Sequence, residues 1–494
     1  MAYCCQQVSN RLLHIQEIVM DARGCFASAL RYNIAFCPEC GQQLYMDQLF
    51  GTDGIRGHAG EFPLDENTIR IIGASLTKQF TERLGREPRF ITGRDTRESG
   101  EWIEKAFHAG AVEENAVCES AEVITTPGVA YLTQAFDFEA GIVISASHNP
   151  YQDNGIKIFL PSGKKIDEMT ERLIEADVFE APAGGCGFED YELNVERSTI
   201  FREAYLDHLK AEATGFSAKG LKIVLDCANG ASSALATELF ASLGAEVITI
   251  HCEPDGRNIN ENCGSTHIGD LRAKVLEEKA DLGVAFDGDA DRSLFVDETG
   301  KIVDGDATLW ILAQYLQSHG KLANSTVVAT VMSNIGLELA LKSKGIELLR
   351  ASVGDKYVLE ELLKTGSEIG GEQSGHVIFP ERSLVGDGMM TALFLLRAVK
   401  EMNVSLSGAT AGFEQFPQTL KNVKVLEKIR FDDVPEIAVA AKLVENELKG
   451  EGRLLLRYSG TENLARVMIE GKDQAVIEEQ ASRIVRAIVV ALGQ

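Results

Sequence analysis

The chain has 494 residues, 74 of them acidic against 48 basic, and a formal charge of −26. That length exceeds one ordinary core and predicts several domains. So acidic a surface repels phosphate backbones, which argues against nucleic acid as a partner. The sequence holds no run of about eighteen apolar residues, so no membrane span is expected. The polar-interrupted N-terminus, MAYCCQQVSNRLLHIQEIVM, does not read as a secretory signal, and the cytoplasm is the expected location.

The first forty residues carry Cys4, Cys5, Cys25, Cys37 and Cys40. CPECG (37–41) is half of a zinc-ribbon knuckle, and zinc requires four ligands. Cys37 and Cys40 are the candidate ligands, with Cys4 and Cys5 beside them and His14 or Cys25 in reserve. The competing reading is an appendage without metal. Cys118, Cys186, Cys227, Cys252 and Cys263 are scattered, as suits reduced thiols.

From about residue 48 the pattern becomes strand, polar turn, helix. Strands are expected at RFITGRD (89–95), GIVISAS (141–147), LKIVLDCANG (221–230), DLGVAFDGD (281–289) and TVVATVMSN (326–334). Helices are expected from Glu101 to Ala111 and from Ser233 to Leu243. This alternation predicts α/β domains with parallel or mixed sheets, in which ligands collect at the C-terminal ends of strands. The acidic stretch 175–192 reads as a surface excursion before a helical linker near Phe201, with further breaks near Gly300 to Gly305 and Gln415 to Pro417. The expected divisions are an extension over 1–47 and domains over 48–200, 201–302, 303–416 and 417–494.

Five motifs carry chemistry, the third of them in two separate segments. In SASHNPYQDNGIKIF (145–159), Ser147 sits on a strand-to-loop turn fixed by His148, Asn149 and Pro150, placed as a nucleophile. Lys157 could return to that site as a proton carrier or phosphate contact; the bland alternatives are a polar turn and a solvated lysine. In AFDGDADRSLFVDE (285–298), Asp287, Asp289 and Asp291 supply hard oxygen ligands suited to Mg²⁺. A Ca²⁺ loop of the EF-hand type would need glycine where Arg292 stands. GTDGIRG (51–57) and GRDTRESG (93–100) suit Arg56, Arg94 and Arg97 to anion contact or loop bracing. GGEQSGHVIF (370–379) offers Glu372 and Ser374 to sugar hydroxyls and His376 to acid–base work. In RLLLRYSGTENLARVMIEG (453–471), Arg457, Ser459, Gly460 and Thr461 make a donor-rich turn of the phosphate-cradle type. There is no GxxxxGK[ST] and no GxGxxG after a strand, which disfavours an NTPase or a dehydrogenase.

In this order, the five motifs resemble the α-D-phosphohexomutase family from about residue 49 to the C-terminus. FGTDGIRG, SASHNPYQDNGIK, VMSNIGLE and GGEQSGH look most like its phosphoglucosamine mutase branch. The resemblance implies three related α/β/α domains and a smaller C-terminal α+β domain around a central cleft. It implies an intramolecular phosphotransferase that interconverts glucosamine 6-phosphate and glucosamine 1-phosphate through phospho-Ser147 and a hexose 1,6-bisphosphate. Mg²⁺ would be held by Asp287, Asp289, Asp291 and a phosphoserine oxygen. Lys157, Arg56, His376 and His148 would serve catalysis; Glu372, Ser374 and Arg292 would meet the sugar, and Arg457, Ser459, Gly460 and Thr461 the distal phosphate. A glucose or mannose phosphate mutase, a non-catalytic sugar-phosphate sensor and a phosphatase are the alternatives. Lys356, Asn463 and Ala465 depart from the branch pattern, and residues 1–47 have no counterpart in it.

Overall fold

The computed structural model describes residues 34–36, 43–45, 48–181, 191–459 and 463–493. The chain divides into two compact units, 1–49 and 50–494. In the first, strands β1 (Ile34–Phe36) and β2 (Gln43–Tyr45) pair antiparallel with Ile34 opposite Tyr45. The zinc candidates Cys4, Cys5, Cys37 and Cys40, with His14 and Cys25, lie outside the described residues.

The second unit contains four sheets. The first is built from β3 (Phe50–Gly51), β4 (Gly54–His58), β5 (Arg89–Arg94), β6 (Val117–Val123), β7 (Ala140–Ile144) and β8 (Asp153–Phe159), in the order β3-β4-β8-β7-β5-β6. Its helices are α1 (Glu66–Leu84), α2 (Gly100–Glu113), α3 (Thr126–Ala135) and α4 (Glu168–Glu180). Strand β5 runs parallel to β6 and β7, while β8 and β4 turn antiparallel. Phe90, Ile91, Ile142 and Val143 are all buried, as expected of strands covered on both faces.

The second sheet, β10-β9-β11-β12-β13, uses β9 (Lys222–Asp226), β10 (Glu246–Ile250), β11 (Leu282–Phe286), β12 (Ser293–Asp297) and β13 (Ile302–Val303). With it go α5 (Ser198–Glu212), α6 (Ala236–Ser242) and α7 (Gly269–Glu278). The third, β15-β14-β16-β17, uses β14 (Thr326–Thr330), β15 (Glu347–Ala351), β16 (Gly370–Gly371) and β17 (Val377–Ile378). Around it lie α8 (Gly305–Ser318), α9 (Ile335–Ser343), α10 (Asp355–Thr365), α11 (Gly388–Glu401) and α12 (Leu406–Ala409). Both sheets pair a parallel half with an antiparallel edge. The fourth is antiparallel throughout: β18 (Gln418–Lys424), β19 (Arg453–Tyr458) and β20 (Leu464–Glu470), ordered β18-β20-β19, under α13 (Pro435–Leu448) and α14 (Gln474–Leu492). A continuous core runs through the first three layers by way of Ile91, Phe201, Phe240, Trp310 and Leu396. The fourth has its own, around Val423, Ile469 and Ile484.

The α/β class with mixed sheets and a smaller C-terminal part is therefore as expected from the sequence. Two local expectations fail. The helix expected from Ser233 begins at Ala236, after a 3₁₀ turn over Ala231–Ala234 in which Ser232 Oγ reaches the Cys227 carbonyl at 3.4 Å; serine hydroxyls compete for backbone groups at such starts. The stretch from residue 175 is not all excursion, because α4 continues to Glu180 with Thr170, Ile174 and Val178 buried along one face. Residues 182–190 lie outside the described set. No described helix is long and apolar enough to cross a membrane.

A polar network lies inside the first sheet. Thr92 Oγ1 is 2.5 Å from Glu104 Oε1 and 2.8 Å from His108 Nε2, and Arg94 donates to Glu104 at 2.5 Å. Burial, with a smaller contribution from Arg94, lowers the His108 pKa to about 3. Between that value and the usual histidine range only the unfolded chain takes up the proton, so stability falls as pH drops through this window. Replacing His108 with Gln should flatten that fall by up to about 1.4 kcal/mol per pH unit below 6.5. Thermal midpoints of both proteins at pH 7 and pH 5 check it; equal losses would remove His108 as the cause.

Candidate active site

Ser147 follows β7 in a left-handed conformation, φ 51°, which a non-glycine residue holds only when its surroundings enforce it. Arg97 does much of the enforcing. Its side chain is fully buried, with Nε 2.9 Å from Asp95 Oδ2. It donates to the carbonyls of Ser147 (3.0 Å), Asn149 (2.9 Å) and Asp153 (3.0 Å), and to that of Pro150. Asn260 Nδ2, from the second sheet's loops, adds bonds to the Ser147 and Asn149 carbonyls at 2.9 and 3.1 Å. Arg97 is thus a brace and not an anion contact. Ser145 ties the loop to Asp95 at 2.5 Å and accepts the Ser147 N–H at 2.9 Å.

The serine loop meets the acidic loop directly. Ser147 Oγ donates to Asp287 Oδ2 at 2.5 Å and lies 3.3 Å from His148 Nδ1. Gly288 makes the approach possible, since a Cβ there would stand 2.5 Å from the Ser147 carbonyl oxygen. Asp287, Asp289 and Asp291 are buried, and each offers an oxygen within 4.8 Å of the others. Asp289 Oδ1 and Asp291 Oδ1 are buried without a hydrogen-bond partner. Two orphaned carboxylate oxygens converging with a third carboxylate are what a hard divalent cation needs. The arrangement fits a metal.

Electrostatics tell the same story. Burial, then repulsion from Asp291 and Asp289, pushes the Asp287 carboxyl well above its ordinary range. Burial also opposes ionisation of Asp289, but Lys157 and a 2.6 Å bond from Thr126 outweigh it and hold its pKa down. Lys157 Nζ sits 2.9 Å from Asp289 and 3.6 Å from both Asp291 and Asp53. Burial disfavours its charge, yet these carboxylates raise its pKa above the ordinary lysine value. His148 is held below its ordinary value by burial and by Arg292 and Arg56. Arg56 pairs with Asp53 and donates to the Ala146 carbonyl at 3.2 Å, with Nε left unpartnered.

The sugar-loop candidates join through backbone. Ser293 N–H bonds the Gly375 carbonyl at 3.1 Å, and Arg292 and His376 form an antiparallel bridge. His376 is buried with Nδ1 unpartnered, whereas Ser374 is exposed. Glu372 Oε1 accepts the Gly354 N–H at 3.1 Å, and its Oε2 lies 3.5 Å from Ser374 Oγ. Gln373 turns to Asp304 at 3.1 Å.

Arg457 and Ser459 gather elsewhere, on the fourth sheet. Arg457 faces Arg466 across the β19–β20 register, and burial followed by Arg466 lowers its pKa. Lys428 Nζ donates to the Ser459 carbonyl at 2.8 Å. Among the described residues no carboxylate pairs with Arg457 or Arg466. Arg457, Lys428, Arg430 and Lys442 line one cleft of about 750 Å³. Gly460 and Thr461 lie outside the described residues.

Sequence reasoning missed Asp53, Lys165 and Asp355. Lys165 Nζ lies 2.9 Å from both Asp53 Oδ1 and Asp355 Oδ2, linking the first sheet's edge to the start of α10. Thr126, Asn260, Lys428 and Arg466 were missed too; no local motif marks the first three, and Arg466 stands in the 453–471 motif without being singled out.

The chain matches the phosphoglucomutase/phosphomannomutase family in each of its parts: α/β/α domain I over residues 47–183, domain II over 203–300, domain III over 304–416 and the C-terminal domain over 420–487. It is 47 % identical to a phosphoglucosamine mutase of Solibacter usitatus, covering 90 % of this chain and 99 % of that one. With that of Koribacter versatilis the figures are 46 %, 90 % and 97 %. Among solved structures it resembles a phosphoglucomutase/phosphomannomutase family protein from Burkholderia thailandensis, with TM-score 0.74, 24 % identity, and 90 % and 97 % of the two chains covered. It also resembles the N-acetylphosphoglucosamine mutase of Aspergillus fumigatus in complex with GlcNAc-6P and magnesium, with TM-score 0.62, 18 % identity and coverage of 89 % and 95 %. This chain is a member of the phosphoglucomutase/phosphomannomutase family, an intramolecular phosphotransferase acting on hexose phosphates.

Proposed function

We propose that the chain interconverts glucosamine 6-phosphate and glucosamine 1-phosphate, with Ser147 as the phosphoryl carrier. The observation that carries the chemistry is the 2.5 Å contact of Ser147 Oγ with Asp287 inside a buried acidic trio. The sugar rests on the near-complete match to relatives named phosphoglucosamine mutase. The expected setting is the cytoplasm.

The phosphoserine P–O bond breaks as a free sugar hydroxyl forms a new one, giving a hexose 1,6-bisphosphate. The bisphosphate turns end over end and returns its other phosphate to Ser147. Such transfer depends on in-line positioning and charge neutralisation more than on covalent novelty. Asp287, Asp289 and Asp291 would hold Mg²⁺, joined by a phosphoserine oxygen; the ion supplies charge neutralisation when bound.

Lys157 keeps its proton firmly and acts as a donor to the phosphoryl oxygens, with Arg56 beside it. His148, held neutral, can accept a hydroxyl proton, and His376 brings a second buried imidazole with a free nitrogen. Arg292, Glu372 and Ser374 face the sugar. Arg457, Ser459, Gly460 and Thr461, supplemented by Arg466 and Lys428, would grip the distal phosphate from either end of the sugar. A zinc site using Cys37, Cys40, Cys4 and Cys5 is a separate proposal, tested by metal analysis of Cys37→Ser/Cys40→Ser.

Four outcomes are expected. Purified enzyme should show its highest kcat/KM on glucosamine 6-phosphate among the glucosamine, glucose and mannose 6-phosphates; a clear win for another sugar changes the substrate. Ser147→Ala should lose turnover and the protein-bound phosphate seen by intact mass, while keeping its fold at a lowered thermal midpoint because a buried bond to Asp287 is lost; full activity would remove Ser147 from the mechanism. Asp287→Asn should also lose turnover, yet raise the midpoint in chelator by a few degrees, because it relieves repulsion among buried carboxylates. A lowered midpoint would refute that account. Arg97→Met should cost about 3–5 kcal/mol, since it strands Asp95 and frees four carbonyls, and should cut kcat more than it changes KM. Unchanged kcat would show that the loop holds itself.

A further inference from the structure

A second cluster of metal-ligating side chains lies in the second sheet, separate from the acidic trio. Asp226 ends β9, His251 follows β10, and Cys263 precedes a 3₁₀ turn at Gly264–Thr266. Each offers one ligand atom, and all three atoms lie within 4.8 Å of one another. Asp226 and Cys263 are buried; His251 is partly open to solvent.

Three further observations point inward to a common centre. His251 Nδ1 is buried and stands 3.1 Å from Asp226 Oδ2, yet the pair is not aligned as a hydrogen bond. The two atoms stand at the separation of an ion pair, which is also the separation of two ligands on one ion. On the other side of the ring, Nε2 lies 3.4 Å from Asp270 Oδ2. A carboxylate on that side can hold an Nε2 proton, which would leave the Nδ1 lone pair to a bound cation, as orienting carboxylates do behind metal-bound histidines. His251 also holds a left-handed backbone, φ 47°, which costs free energy in a non-glycine residue.

We propose that Asp226 Oδ2, His251 Nδ1 and Cys263 Sγ form a second metal site that takes a borderline-soft divalent cation of the zinc class, with water at the open position. The donor set decides the class. One thiolate, one imidazole and one carboxylate match Zn²⁺ or Co²⁺, whereas Mg²⁺ prefers the all-oxygen trio at Asp287, Asp289 and Asp291. Asp226 keeps capacity for the ion although it already accepts the Ala228 and Gly264 N–H groups at 3.0 Å each, because each carboxylate oxygen has two lone pairs. A bound cation would have to displace the Cys263 proton, which burial and neighbouring carboxylates otherwise hold.

The site would staple loops that carry the active centre. Gly264 packs so closely that a Cβ would stand 2.6 Å from the Phe286 carbonyl, one residue before the acidic loop. Asn260, three residues before Cys263, holds the Ser147 and Asn149 carbonyls.

The test is Co²⁺ titration of the full chain carrying Cys37→Ser and Cys40→Ser, stripped with chelator and held in excess Mg²⁺. The expected result is one equivalent of tetrahedral Co²⁺ with a thiolate charge-transfer band. His251→Asn and Cys263→Ser should lose the band or weaken binding at least tenfold; asparagine tolerates the left-handed backbone, so the first variant keeps its fold. Asp270→Asn, at an exposed position, should weaken binding about tenfold by releasing the imidazole. Failure of the starting chain to take up Co²⁺, or equally tight binding by His251→Asn, would overturn the proposal.

Discussion

The second unit depends on a concentration of like charge that the fold does not neutralise by itself. Three aspartates crowd one loop, buried, with two oxygens lacking any hydrogen-bond partner. Buried carboxylates in this state either take up protons or attract a cation. Asp287 shows the first tendency and the converging oxygens show capacity for the second. The surrounding groups are arranged so that neither tendency disperses the trio. Lys157 neutralises Asp289 from one side, Thr126 bonds the same carboxylate, and Arg292 covers Asp291.

Ser147 joins this site through scaffolding from two sheets. Its own loop is wrapped by Arg97, whose donors are spent on backbone carbonyls and Asp95. A lysine could not take this place, because a single ammonium cannot span carbonyls at four positions with fixed geometry. A loop of the second sheet adds Asn260, and the one Gly of the acidic loop, Gly288, lets the backbones touch. Ser147 and the carboxylates are therefore positioned jointly. Displacing either loop moves both.

What the sequence discloses is what lies close together along the chain. Ser147 with His148, the alternating aspartates, and the Glu372–His376 turn are each contained in a few residues, and strand-ending polar turns place them by period alone. The partners that make them work are distant in sequence. Asn260 reaches Ser147 across 113 positions, and Lys165 reaches Asp355 across 190. Asp53 stood inside a quoted motif, yet its contact with Lys157 depends on β4 pairing with β8, which composition does not dictate. Over α4, acidic residues signal a loop on average, while the buried face of Thr170, Ile174 and Val178 overrides that average; before α6 the reverse holds, and the Ser232 hydroxyl takes a backbone carbonyl where the apolar pattern alone suggests helix.

The overall charge of −26 poses the question of how such a chain receives an anionic substrate. Around Ser147 the answer is local balance. Asp53, Asp287, Asp289, Asp291 and Asp355 face Lys157, Lys165, Arg56 and Arg292 in one contiguous cluster. Glu372 acts on Arg292 as well, so ionised carboxylates outnumber the cations, which disfavours a phosphate. A divalent cation on the trio would move that balance by two positive charges. At the short distances inside a buried site, such a change outweighs a diffuse surface charge screened beyond about 8–10 Å. On the fourth sheet Arg457 and Arg466 stand side by side with no carboxylate between them among the described residues. Two guanidiniums held together repel one another, and a phosphate removes that repulsion when it binds.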